Sequence, residues 1–108
     1  MLLHIPAIAH AAGLKRPTVD DWIAVNRSAP RLVSVLPNGP VHHPTVRVFL
    51  AGGVPEVMTH LREMALIDDT CMTCAGKTWG ALLDQWGKSE RRKRIRAVLE
   101  KEGIDPAD

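Results

Sequence analysis

Residues 51–64 read Ala51-Gly52-Gly53-Val54-Pro55-Glu56-Val57-Met58-Thr59-His60-Leu61-Arg62-Glu63-Met64. The pair Gly52-Gly53 breaks regular structure, since glycine reaches backbone conformations closed to other residues. Pro55 then stands in the first turn of a helix, where a missing N–H costs nothing. Glu56 follows, and a carboxylate complements the positive end of the helix dipole. Val57, Met58, Leu61 and Met64 fall at i, i+1, i+4 and i+7, one face of a helix running to about Met64.

Working outward, the same signals recur. Downstream, Asp68 to Lys77 reads as a turn and a short extended segment. Thr78 opens a helix with Trp79, Leu82, Leu83 and Trp86 on one side. Ser89 caps a last helix, whose apolar stripe is Ile95, Val98 and Leu99. Gly103 stops it, and Asp105-Pro106 forbids its continuation. Upstream, residues 44–51 form a short helix ahead of Gly52. Pro37-Asn38-Gly39-Pro40 is a turn, and Arg31 to Leu36 is the best strand in the chain, short and rich in β-branched residues. Thr18, with Asp20 and Asp21 behind it, opens a helix that Pro30 ends. Residues 2–12 are a helix apolar almost all round, stopped by Gly13.

The resulting fold class is helix-rich α/β, with about five helices and one or two short strands. One lone strand makes no sheet. Either Cys71–Thr73 pairs with 31–36, or the missing strands lie on another stretch of polypeptide. The first helix has no Ser, Thr, Asp or Asn ahead of Leu2 to satisfy its free N–H groups, and reads as the tail of a longer buried helix. Residues 1–108 are therefore expected to be a single incomplete domain, a partial α/β layer of something larger.

Composition fits a small soluble domain: 108 residues, 45% hydrophobic and 24% charged, too ordered in type for intrinsic disorder. The longest uncharged stretch from the start, Met1 to Leu14, is shorter than the ~20 residues of a membrane span and lacks the basic flank of a signal peptide. Two cysteines are too few for a secreted disulfide scaffold, which points to the cytoplasm. The formal charge of +2 is unevenly placed. Residues 1–87 are neutral, residues 88–102 carry +4, and the last six carry −2.

Each chemical motif has a plain structural alternative. Cys71-Met72-Thr73-Cys74 is a C-x-x-C, half of a zinc site or a redox dithiol. His42, His43 and His60 are not spaced to complete it, so two ordinary buried or half-buried thiols are expected. Gly76-Lys77-Thr78 matches the end of a phosphate-binding loop, but Cys71 stands where the first Gly belongs. Lys88, Arg91, Arg92, Lys93, Arg94, Arg96 and Lys101 make a basic helix over 88–102. It is either a solvated face or, as an alternative function, a small nucleic-acid-binding module. No aromatic residue interleaves with those charges to stack on bases, which disfavours nucleic acid. His4 and His10 fall on different faces of the first helix, and Asp20/Asp21 and Asp68/Asp69 read as caps or solvated pairs. No nucleophile, base and oxyanion hole assemble, so no residue is assigned a catalytic, cofactor-binding or metal-binding role.

His4-Ile-Pro-Ala-Ile-Ala-His10-Ala-Ala-Gly13, Leu36-Pro-Asn-Gly-Pro40, the block His43 to Met58 and Ser89-Glu-Arg-Arg92 together resemble the dihydroxyacid dehydratase/phosphogluconate dehydratase family. Within it they look like the sugar-acid branch that dehydrates D-xylonate and related aldonates. The resemblance covers essentially all 108 residues, and its most specific part is Ala51-Gly52-Gly53-Val54-Pro55. It implies a hydro-lyase that converts a 2,3-dihydroxy acid to a 2-keto acid with an iron–sulfur cluster held by three Cys, plus Mg2+. Cys71 and Cys74 match none of the cluster positions. The cluster cysteines, most magnesium ligands and the base are expected on segments outside these residues. The resemblance thus implies a fragment of the N-terminal α/β domain of a dehydratase, inactive alone. Its partners would be the remainder of the dehydratase or a homo-oligomer, through exposed apolar faces, with no membrane.

Overall fold

The computed structural model describes residues 2–32 and 45–106. Among them are six helices: α1 (His4–Ala11), α2 (Val19–Ser28), α3 (Thr45–Leu50), α4 (Val54–Glu63), α5 (Trp79–Gly87) and α6 (Glu90–Lys101). They fall into two compact units, Met1–Arg31 and Leu32–Asp108.

In the first unit, α1 ends as expected. Gly13 takes φ +68, its N–H donates to the His10 carbonyl at 3.1 Å, and the Leu14 N–H reaches the Ala9 carbonyl at 2.8 Å. These two bonds close a Schellman motif, which satisfies carbonyls the helix leaves open. At the start of α2, the Thr18 side chain accepts from the Asp21 N–H at 3.3 Å, and Asp21 Oδ2 accepts from the Thr18 N–H at 2.7 Å. This reciprocal capping box holds the Asp21 carboxyl below its usual pKa, first through the backbone bond from Thr18 and then through its hydroxyl. No residue of α1 or α2 is buried.

The second unit is organised around the Gly52-Gly53 turn. The N–H groups of Gly52 and Gly53 close the end of α3 on the carbonyls of Phe49 and Val48, and Gly53 at φ +67 leads directly into α4. Pro55 lies in the first turn of α4, as its position in the sequence predicts. Thr78 caps α5 by accepting from the Ala81 N–H at 3.2 Å, and Ser89 caps α6 by accepting from the Arg92 N–H at 3.2 Å. Helix α4 packs against α5. Among the described residues, Leu83 at 4% exposure is the buried hydrophobic side chain, accompanied by buried Gly52 and Gly80.

The described residues differ from the expectation in two respects. The helices number six among the described residues, against about five. The expected one or two short strands are not found there. The described pairing is an isolated antiparallel bridge, Met72 to Thr78. Gly76 at φ +70 turns the chain back, the Thr73 N–H donates to the Lys77 carbonyl at 2.9 Å, and the Trp79 N–H donates to the Cys71 carbonyl at 3.0 Å. Cys71–Thr73 thus finds its described partner a few residues downstream, within its own turn. Of the expected strand over 31–36, Arg31 and Leu32 are in no regular structure. Residues 33–36 lie outside the described residues, as do the turn at 37–40, His42 and His43.

Candidate functional site

The densest polar constellation lies where α4, α5 and α6 converge on the Glu56 carboxylate. Arg92 grips it as a fork, with Nη2 donating to Oε1 at 2.7 Å and Nε to Oε2 at 2.9 Å. The Trp86 indole N–H donates to Oε2 at 2.7 Å. Both charged side chains are largely sheltered, Glu56 at 15% exposure and Arg92 at 19%. Burial pushes the Glu56 carboxyl up, but the bonds from Arg92 and Trp86 and the nearby positive charge together outweigh it, and its pKa falls below the usual value. A carboxylate so held is a poor base. Its lone pairs are directed at donors of its own chain, and its chemistry is to join three helices.

Gly52 makes room for this tie. A Cβ built there would stand 2.7 Å from Glu56 Cβ and 3.2 Å from the Trp86 ring. Arg91, the next residue on α6, lies over the rings of Phe49 and Trp86, 5.2 and 5.8 Å from their centroids.

A second tie lies further along α4. Arg62 Nε meets Asp69 Oδ2 at 2.8 Å, and its Nη1 donates to Asp84 Oδ1 at 2.8 Å. Hydrogen bonding from Arg62 is the leading cause of a lowered Asp84 pKa. The Asp69 carbonyl also accepts from the Gly80 N–H at 2.8 Å, an approach that a side chain at Gly80 would crowd.

The residues singled out by sequence are dispersed. Cys71 and Cys74 are free and both exposed, not buried or half-buried as expected. Asp68 accepts from the Thr70 N–H and hydroxyl, and its negative charge, ahead of burial, pushes the Cys71 thiol up. His60 lies 3.9 Å from Glu63, while His4 and His10 are exposed on α1. Thr78, the last residue of the partial phosphate-loop match, spends its hydroxyl on the α5 cap, and Lys77 Nζ donates to Gln85 Oε1 at 3.2 Å. On the basic helix, Arg92 is tied to Glu56, Lys93 pairs with Glu90 at 2.8 Å, and Arg91 covers aromatic rings. Among the described residues, no three His, Cys, Asp or Glu side chains group to hold a metal ion. An apolar depression of about 310 Å3 opens between Pro55, Trp79, Leu82, Leu83, Trp86 and Ser89. It carries no titratable side chain. No helix among the described residues is long and apolar enough to cross a membrane.

The sequence reading took Glu56 as a dipole complement and missed its two partners. A signal existed: a tryptophan indole that is sheltered needs an acceptor, and Glu56 is the acid at the head of the neighbouring apolar helix.

The family model described as dihydroxy-acid/6-phosphogluconate dehydratase N-terminal matches residues 1–82. The chain belongs to this dehydratase family. It is 60% identical over 109 aligned residues to the D-xylonate dehydratase YagF of Escherichia coli K12, covering all of this chain and 17% of YagF. To the D-xylonate dehydratase YjhG of the same organism it is 62% identical over 99 residues, 92% of this chain and 15% of YjhG. A dihydroxy-acid dehydratase of Nitratidesulfovibrio vulgaris is 40% identical over 83% of the chain. No solved structure matches. Against these dehydratases the chain spans about a sixth of the length. The expected resemblance, including its sugar-acid branch, is thereby shown.

Proposed function

We propose that the chain is a scaffold segment of a hydro-lyase that dehydrates aldonic acids of the D-xylonate kind to 2-keto-3-deoxy acids, and that it has no turnover by itself. The observation that carries this is 60% identity to a D-xylonate dehydratase across the whole chain. Its polar side chains support a structural role, since Glu56, Arg92, Arg62, Asp69 and Asp84 are spent on one another.

The iron–sulfur cluster that the resemblance implies does not fit the residues present, and among the described residues no three His, Cys, Asp or Glu side chains group to hold Mg2+. A cluster held by three cysteines needs three thiolates, and the chain has two cysteines. We therefore route no step through either group here. On this reading the 108 residues are one incomplete domain of a cytoplasmic enzyme. The alternative nucleic-acid module has no observation in its favour, because α6 uses Arg91, Arg92 and Lys93 within the protein.

The test is direct. The purified chain is treated with iron and sulfide under argon, and keto-acid formation from D-xylonate is followed. The expected result is no turnover and no cluster absorbance at one per chain. Either signal overturns the reading.

A further inference from the structure

Helix α1 has no charged side to turn to water. From Leu2 to Leu14 there is no Lys, Arg, Asp or Glu, and the polar side chains of α1 are His4 and His10. Leu3 just ahead of it is 75% exposed, Ile5 39% and Ile8 67%. At about 100° per residue these three span roughly 200° of the circumference, about twice the stripe by which a surface helix sits on a core. Ala7, Ala11 and Ala12 fall within that arc, as does His4, while Pro6 and His10 lie outside it. A second copy meeting across a two-fold axis covers one side of such a helix. Covering the rest takes polypeptide on further sides, as in a domain interior. The similar dehydratases contain such polypeptide, because the matched stretch is 17% of YagF and 15% of YjhG.

We infer that α1 is an interior helix whose apolar circumference docks the remaining polypeptide of a dehydratase of this family, and that it does so when that polypeptide is supplied as a separate chain. The inference rests on the scaffold reading above and commits to its partner. The partner surface is aliphatic and uncharged, and it meets α1 from more than one side.

The experiment co-expresses the tagged full chain with YagF from which the matched stretch is replaced by a Gly/Ser linker. The readouts are recovery of the two chains together and the soluble yield of the YagF portion. The expected result is a one-to-one complex and a rise in that yield. The I5E/I8E variant should lose recovery by about tenfold or more, because two isoleucines leave an apolar contact. V98E, an exposed apolar position on α6, should leave recovery unchanged. Matching far-UV circular dichroism shows that each variant keeps its helices. Absence of both recovery and solubility rescue overturns the inference, as does undiminished recovery of I5E/I8E. An α1-dependent homodimer that excludes the YagF portion also overturns it. Catalysis is not a readout, so turnover by the chain alone would sink the scaffold reading without deciding this one.

Discussion

Breaking the Glu56–Arg92 fork is the sharpest test of how the second unit is held. The perturbation is a double-mutant cycle of Glu56→Gln and Arg92→Met, the latter keeping most of the apolar stem. Exposed ion pairs contribute about 0.2–1 kcal/mol, whereas removing one partner of a buried pair costs about 3–5 kcal/mol. Glu56 and Arg92 are about one-sixth exposed and meet through two bonds of 2.7 and 2.9 Å. A coupling of about 2 kcal/mol follows, between those limits. The assay is urea unfolding followed by tryptophan fluorescence, in a trimethylamine oxide background that favours the folded state. The coupling should depend on pH with a definite sign. The folded pKa of Glu56 is depressed, so its stabilisation is full above the unfolded value, about 4.3–4.5. It is lost as pH falls through the lower folded value. Arg92, its own pKa raised first by hydrogen bonding to Glu56, stays charged throughout. A coupling below about 0.5 kcal/mol at neutral pH, or one that persists undiminished in acid, refutes the reasoning.

Three further outcomes are expected. Ala65 ends α4 at φ +55 in a Schellman turn, its N–H on the Arg62 carbonyl and the Leu66 N–H on the Leu61 carbonyl. Ala65→Gly should raise stability by up to about 1 kcal/mol, read as a higher urea midpoint at unchanged slope. Gly52→Ala should lower stability by about 2 kcal/mol or more, because φ is +130 and the new Cβ meets Glu56 Cβ at 2.7 Å. Asp68→Asn should speed alkylation of Cys71 near neutral pH, since removing the carboxylate's repulsion lowers the thiol pKa. Mass-spectrometric mapping of iodoacetamide adducts over time checks it, and an unchanged Cys71 rate contradicts it.

Local signals were legible and long-range ones were not. Thr18, Thr78 and Ser89 cap helices, and Gly13 and Gly103 stop them, because a cap depends on residues within one turn of itself. The stop at Ala65 was invisible, since alanine carries none of glycine's signal for positive φ. Glu56 lies 30 residues from Trp86 and 36 from Arg92, so nothing in helical spacing pairs them. For Cys71–Thr73, the expected alternatives were pairing with 31–36, of which 33–36 lie outside the described residues, or strands on another stretch of polypeptide. The described partner of Met72 is Thr78, across the turn at Gly76, a local pairing that the sequence reading did not weigh. The family was legible in the sequence. The polar ties at Glu56 and Arg62 needed coordinates.

The two classes of interaction in this chain are satisfied to different degrees, and that contrast explains why the polar ties matter. Among the described residues, no sheltered side-chain N or O lacks a hydrogen-bond partner, while one hydrophobic side chain, Leu83, is buried. Apolar burial is the main driving force of folding, and where the described apolar side chains are mostly half-buried or exposed, directional polar contacts weigh more. Burying one leucine contributes about 2 kcal/mol, the same order as the coupling expected for Glu56 and Arg92. The fork therefore contributes on the order of one fully buried leucine. Hydrogen bonds are also directional where apolar contacts are not. The forks at Glu56 and Arg62 thus fix how α4 meets α5 and α6, while the apolar side chains between these helices, Val57, Leu61, Leu82 and Ile95 among them, are half-buried.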